Sequence, residues 1–562
     1  MTTAIAVLFL LVGCDSPPQV TQLVRVEAAP VVEEKPAPTA TTAVLAAPAT
    51  PEPAPTNLPT PEPTIPPIEF DNPLHEAMAA AALSSNVAFV RLERANSGVW
   101  QYPAHTFVHP VSLVVWENRL FLLDGGRVLA IDLATPQTPI SLLGPGEIVD
   151  GVRVQEPHDL AVDGTGLSVL DRVGDVYHYG WETAVWTLDR YDRPIRDTSS
   201  HYFVALAAVE NGRFLLETNY KYGMRYTGAE ESLWTLPENV RNLDMAVVGE
   251  SVYILTHPAN EPQARLVRYR GGVLDKSFRS FVAIDQARQV VATAEAVYVL
   301  DQGGRRLLQV SVENGELTAV YQLPQNDPSA AFAVDPTTNQ LVFAGRNRLY
   351  FYQQPERWTA VAAEPLFPAD TTLPHDPAWL ATLPTLLMPI GGSDITARDL
   401  QLPGAPRHYR LGIHAGLDFY WQTGTAVRAV ATGTVLRATH DFVPPAGWEF
   451  EGWYSQTLEL TYTSPEALDF YRGRQVWIAH DNGLVSRYVH LNSIDPALVE
   501  GKPVVLGQII GTVGNSGSPA SQISPTEDAH LHFELWHGNH YVGQFLRPVE
   551  AREWFERLFV NE

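Results

Sequence analysis

The chain has 562 residues, too many for one ordinary hydrophobic core, so two or three domains are expected. It is 45% hydrophobic and only 18% charged, and its formal net charge of -25 excludes nucleic acid as a partner, since phosphate binding needs clustered Lys and Arg. The lone cysteine, Cys14, excludes an intramolecular disulfide, and the 13 Trp, 21 Tyr and 21 Phe favour β structure.

Cys14 closes an apolar run, Ala4 to Gly13. The run is far shorter than the roughly 20 residues a spanning helix needs, and it reads as the apolar region of an export signal. The string Leu11-Val12-Gly13-Cys14 resembles the lipobox of bacterial lipoproteins. That resemblance implies that residues 1–14 are a lipoprotein-type signal and that a lipidated Cys14 ties the chain to the membrane. One departure is that no Lys or Arg precedes the apolar run. A plain signal peptide with an incidental cysteine is the competing reading. Either way the chain is expected outside the cytoplasm, membrane-anchored or secreted into the cell envelope.

Residues 15–73 are rich in Pro, Ala, Thr and Glu, as in Pro51-Glu52-Pro53-Ala54-Pro55, and read as a disordered linker. At ~3.1 Å per residue such a stalk reaches at most about 170 Å. A short helix is expected over Leu74 to Leu83.

From 74 to 363 a strand–turn–strand pattern recurs, clearest in Leu120-Phe121-Leu122-Leu123-Asp124-Gly125-Gly126-Arg127-Val128-Leu129-Ala130-Ile131. Comparable units start near Leu167, Phe214, Val252, Val297 and Leu341. The spacing is that of four-stranded propeller blades, and six units predict a six-bladed β-propeller. A pair of β-sandwiches is the alternative. Asp124, Asp171 and Asp301 recur at similar places and read as turn formers. With no metal or nucleophile cluster in this region, the propeller reads as a scaffold or binding module of unknown ligand.

A proline-spaced connector, 364–385, leads to a second domain, 386–562. Strands are expected over Ala426 to Val430, Thr434 to Ala438, Thr457 to Tyr462, Gln475 to Ala479 and Leu484 to His490, with a helix over Val549 to Phe559 at the end. The fold class is therefore all-β throughout.

Nine of the 17 histidines lie from His408 onward. Three strings matter: Gly412-Ile413-His414-Ala415-Gly416-Leu417-Asp418-Phe419, Arg487-Tyr488-Val489-His490-Leu491, and Ala529-His530-Leu531-His532-Phe533-Glu534-Leu535. On a strand, His530 and His532 project to one face while Leu531, Phe533 and Leu535 fill the other. Two imidazoles on an otherwise apolar strand are hard to explain as packing, since each needs a polar partner. His414 and Asp418 share a face in an extended segment. One His, one carboxylate and a further His make a three-ligand zinc site with an open fourth position, the catalytic arrangement.

These strings resemble the H-x-x-x-D and H-x-H motifs of the M23 metallopeptidases, the lysostaphin and LytM-like family. The similarity extends to Gly424-Thr425-Ala426-Val427, Gly433-Thr434-Val435, His480-Asp481-Asn482-Gly483 and the run Gly507 to Gly517. It implies an antiparallel β-sheet peptidase fold with one Zn2+ held by His414, Asp418 and His532, and with His490 and His530 as the non-ligand catalytic pair. The implied substrate is peptidoglycan, cut in its stem peptides or cross-bridges. His408, His440, His480, His537 and His540 read as packing or solvent-facing residues. Two segments depart from the family pattern, an enlarged stretch over about Asp441 to Arg474 and a long loop between Gly517 and His530, in which Asp528-Ala529 replaces Gly-Pro. Both are expected to border the groove. The competing functions are a catalytically silent activator of other wall hydrolases, and a metallopeptidase cutting a different protein chosen by the propeller.

Overall fold

In the second strand of each repeat, apolar residues run without alternation, as a strand does when both its faces are covered. A computed structural model of the chain shows what covers them. It describes residues 87–560 apart from 104–105, 190–200, 210–211, 219–221, 228–229, 237–239, 260, 281, 325–326 and 362–381. The segment read as an export signal with Cys14, the stretch 15–73 read as a linker, the helix read over Leu74 to Leu83 and nearly all of the expected connector 364–385 lie outside the described residues.

Six sheets of four or five strands are present among the described residues up to 361. Their first strands are Pro110–Trp116, Pro157–Val162, Phe203–Val209, Val240–Val248, Gln289–Ala292 and Ala331–Val334. Each lies beside the next, and the last lies beside the first, so the six sheets close into a ring of blades around a channel. The unit starts read from the sequence, Leu120, Leu167, Phe214, Val252, Val297 and Leu341, all fall in the second strand of a blade. The N-terminal strands close the ring. Ser97–Gln101 pairs antiparallel with Arg348–Tyr352 in the sixth blade, and Ala88–Arg91 runs parallel to 319–322 at the edge of the fifth.

Side chains on first strands join neighbouring blades. Ser112 Oγ accepts Leu160 N–H at 3.3 Å, Asp159 accepts Leu206 N–H at 2.7 Å, Asp244 accepts Val290 N–H at 2.6 Å, and Gln289 Oε1 accepts Phe332 N–H at 3.0 Å. An inner strand has no ladder partner on its channel side, and these acceptors satisfy donors that the ring would otherwise bury unpaired. Asp124 and Asp171 end second strands, fully buried, and do more than form their own turns. Asp124 accepts Val108 and His109 N–H, and Asp171 accepts Gln155, Glu156 and Val173 N–H, so each holds the loop that enters its blade. Asp301, also fully buried, pairs with Arg306.

The C-terminal sheet is antiparallel, in the order Leu417–Tyr420, His530–His537, Leu484–Val489, Val476–Ala479, Gly433–Ala438 and Pro503–Val504. A small sheet of Ala426–Arg428, Ile509–Thr512 and Ser493–Ile494 packs with it around Leu417, Val435, Ile478, Tyr488, Leu531 and Phe533. Among the described residues there are three α-helices, α1 (Gly447–Leu460), α2 (Pro465–Arg472) and α3 (Pro548–Leu558).

The strand expected over Thr457 to Tyr462 is a correction, because most of it is the last turn of α1. Its β-branched Thr457 and Thr461 suggest a strand, but helical spacing sets Phe450 and Trp453 against Phe470 and Tyr471 of α2, with ring centroids 5.0–6.0 Å apart. Tertiary packing overrides local propensity here.

The C-terminal sheet docks on the propeller through buried charges. Glu156 and Arg172, each at most 2% exposed, pair at 2.7 Å. Glu156 accepts Phe545 N–H and the Tyr541 hydroxyl, while Arg172 donates to Leu546 O at 2.6 Å and Gly404 O at 3.4 Å. Arg547 faces one end of the channel and donates to Val111 and Ala330 carbonyls of two blades. Arg288 pairs with Glu553 of α3 at 2.6 Å, and Thr218 and Arg552 both reach Asp399.

Gln289→Ala strands the buried Phe332 N–H and should lower folding stability by about 1–3 kcal/mol in urea denaturation. An unchanged midpoint would show that the blade-to-blade bonds carry no net stability.

Candidate metal and catalytic site

Strand register builds the centre. In the ladder between Leu417–Tyr420 and His530–His537, Asp418 stands directly across from His532 and Tyr420 across from His530. On the other side of the same strand Val489 stands across from His532, which delivers His490 at the next position. His490 then takes a left-handed conformation, φ 62°, with its N–H on Arg472 O. A left-handed non-glycine residue costs about 1–3 kcal/mol, and such strain concentrates at functional sites. Gly416 must lack a side chain, because a Cβ there would lie 2.2 Å from the Phe533 carbonyl oxygen and 3.0 Å from the His532 ring. The backbone thereby brings His414 over the strand.

All five residues singled out in the sequence meet here, between 2% and 9% exposed. His414 Nε2, Asp418 Oδ1 and His532 Nδ1 form a triangle with sides of 2.8–2.9 Å. It is the one His/Cys/Asp/Glu group among the described residues suited to a metal ion. His490 and His530 flank it, their ring centroids 4.9 Å apart, and His530 Nε2 lies 3.9 Å from Asp418 Oδ1.

Each imidazole is held by an outward-facing acceptor. His414 Nδ1 bonds to Leu402 O at 2.8 Å, His490 Nδ1 to Ser516 O at 2.8 Å, and His530 Nδ1 to Asp528 O at 2.7 Å. A carbonyl oxygen only accepts, so in each case the ring nitrogen donates and Nε2 carries the lone pair. His532 Nε2 faces Glu534 Oε1 at 3.1 Å, which leaves Nδ1 for the centre. Arg407 Nη2 donates to Asp418 Oδ2 at 2.7 Å. The triangle gathers two imidazole nitrogens and a carboxylate oxygen at hydrogen-bonding separations, an arrangement that favours a cation, proton or metal, between them. Two imidazoles and a carboxylate with their outer atoms satisfied are a donor set that fits zinc and leaves a fourth position for water or substrate.

The titration behaviour follows the same logic. Burial, then Arg407, pushes His414 down to about 3, so its ring is neutral and free to bind a cation. Burial also pulls His532 down, but hydrogen bonds to Asp418 and Glu534 outweigh it and leave the group raised. Burial opposes ionisation of Asp418, yet His414 and Arg407 hold it well below the usual carboxylate range. His490 is pushed well below its ordinary value by burial and by the His530 and His532 rings, so it enters as a neutral proton acceptor.

Sequence reasoning passed over the groups that orient these rings. Glu534 is fully buried, accepts two bonds from Arg472 at 2.8–2.9 Å and one from Trp536 at 2.6 Å, and is held well below its ordinary pKa against burial by Arg472 and His532. Strand alternation puts it on the His530–His532 face, a signal already present in H-x-H-x-E. Tyr420 stacks on His530 at 4.9 Å. His440 and His480 lie apart from the centre, bonded to Leu498 O and to Thr432 O and Ser486. Both enlarged segments border the site. Helix α2 supplies the Arg472 carbonyl and the loop between Gly517 and His530 supplies that of Asp528, while Gln522 bonds Pro445 O across the two segments at 2.9 Å.

Glu534→Gln should weaken metal binding about 10–100-fold in chelator competition. Undiminished affinity would show that Glu534 serves the fold alone.

Solved structures similar to this chain include a glutaminyl cyclase of Myxococcus xanthus, at 14% identity over 47% of this chain and 96% of that one, with a TM-score of 0.27. A gluconolactonase from Xanthomonas campestris is similar at 13% identity over 44% and 87%, with a TM-score of 0.34. Likeness this slight carries no argument, and the propeller description rests on the ring of sheets. No curated protein matches the chain. Residues 412–544, which span all five site residues, match the sequence model of peptidase family M23 and constitute a domain of that family.

Proposed function

We propose that the protein is an extracytoplasmic zinc metalloendopeptidase that hydrolyses peptide bonds in peptidoglycan stem peptides or cross-bridges. The observation that carries this reading is the set of ligand atoms converging from His414, Asp418 and His532, with the His490 and His530 rings beside them. A silent activator has no need of a complete donor triangle with its outer bonds made.

His414, Asp418 and His532 would hold the metal. When bound, zinc supplies Lewis-acid polarisation of the scissile carbonyl and a water nucleophile near neutral pH. The remaining chemistry falls to the chain. His490 and His530, their Nδ1 protons engaged by Ser516 and Asp528, present Nε2 as proton acceptor for the attacking water. Once protonated, the same atoms donate to the developing oxyanion or to the leaving amine. Tyr420 fixes the plane of His530 by stacking on it.

The lipobox-like string at Cys14 and the proline-rich linker support placement on the membrane with reach into the wall. Cys14→Ser should move the protein from the membrane fraction to the soluble one. A membrane-bound Cys14→Ser variant would remove the lipid anchor from this reading.

The deciding experiment incubates the full chain with purified peptidoglycan and maps released fragments by mass spectrometry. New peptide termini should appear and should vanish with chelator. His530→Ala should keep stoichiometric zinc and lose about 10²–10⁴-fold in rate, whereas His532→Ala should lose the metal. Cleavage of a protein substrate with peptidoglycan left intact would overturn the substrate assignment.

A further inference from the structure

The acceptor that orients His414, the Leu402 carbonyl, lies outside the segment that matches the peptidase family, and so does the turn that carries it. Residues 402–414 form a hairpin. His414 N–H bonds Ala405 O and Gly404 N–H bonds His414 O, both at 2.8 Å, while the short strands Pro406–Arg407 and Gly412–Ile413 pair between them. The position of the His414 ring is therefore set by the position of the Leu402–Ala405 turn.

The propeller grips that hairpin at both ends. At the base, the Arg172 guanidinium lies against Gly404, whose φ of +87° and lack of a side chain permit the approach, since a Cβ there would lie 2.5 Å from Arg172 Nη1. At the tip, Gln155 donates to Leu411 O at 3.0 Å. Beside it Arg153 N–H bonds Thr461 Oγ1 at 2.9 Å, and the Arg153 guanidinium covers Tyr462 at 4.5 Å. Arg172 is itself fixed by Glu156 and by the Tyr202 hydroxyl at 2.5 Å. The same Glu156–Arg172 pair also holds residues 541–546, which follow the strand bearing His530 and His532. One buried ion pair of the propeller thus contacts the chain on either side of the metal-ligand set.

We propose that the propeller is a positioning element of the metal centre, with Arg172, braced by Glu156, fixing the Leu402–Ala405 turn and through it the His414 ring. The proposal rests on the reading of His414 as a metal ligand. Outer groups that orient a ligand change metal affinity about 10–100-fold when removed, and Arg172 acts at one further remove, through a backbone turn.

The test uses the full chain and two readouts, zinc affinity by chelator competition and amide exchange over 402–414 in the zinc-free protein. Arg172→Gln should lose tenfold or more in zinc affinity and exchange faster across the hairpin. Gly404→Ala, which disturbs the same contact from the peptidase side, should do the same, so the test survives if one of the two fails to fold. Leu300→Ala, in the core of the fifth blade, should lower the unfolding temperature and leave both readouts within twofold. Unchanged affinity or unchanged exchange in a folded Arg172→Gln or Gly404→Ala variant overturns the proposal, as does an equal loss in Leu300→Ala. A wild-type chain that takes up no zinc overturns the metal reading of His414 instead, an outcome separable because the exchange readout needs no metal.

Discussion

Four imidazoles each have one nitrogen committed outward, and everything at the centre depends on that constraint. Leu402, Ser516 and Asp528 carbonyls and the Glu534 carboxylate take the four outward positions. A ring so held cannot turn its lone pair away, and its tautomer is decided before any ligand arrives. The strain at His490 and the burial of Glu534 make sense as costs of this arrangement. The surrounding sheet over-determines the ring positions by register, since neighbouring strands set Asp418 and Val489 on either side of His532.

A second constraint concerns where charge is buried. Removing Glu156 and Arg172 from water is expensive, and the pair is tolerable because its oxygens and nitrogens have further partners across the contact. Apolar residues of similar size would give a docking surface of comparable strength. The ion pair gives direction instead. It accepts from one backbone N–H and donates to two carbonyls, so it admits one placement of the peptidase sheet on the ring.

Much of this architecture is legible in the sequence, and the exceptions have physical causes. Second strands such as 120–123 and 297–300 announce themselves because neighbouring blades cover both their faces. First strands signal more weakly, since residues such as Ser112, Asp159 and Gln289 turn polar groups toward the channel and the next blade. The stretch Thr457 to Tyr462 misleads because its pattern is local, whereas the helix it ends is fixed by the packing of Phe450 and Trp453 on Phe470 and Tyr471 of a second helix. At the site, H-x-H is readable because a strand has a period of two, and Glu534 was within reach of the same argument. Leu402 and Arg172 were not, because no local pattern marks a carbonyl or an arginine whose partner is hundreds of residues away.

The ring is completed by a strand made almost first. Ser97–Gln101 finds its partner only when Arg348–Tyr352 exists, some 250 residues later in the chain. Until that later strand arrives, the early one has its edge unpaired, a state in which sheet proteins are prone to join wrong partners. The histidines at 414, 490, 530 and 532 emerge later still. The order of the chain thus places the metal centre after both partners of the closing strand pair, so the platform can close before the reactive part of the molecule joins it.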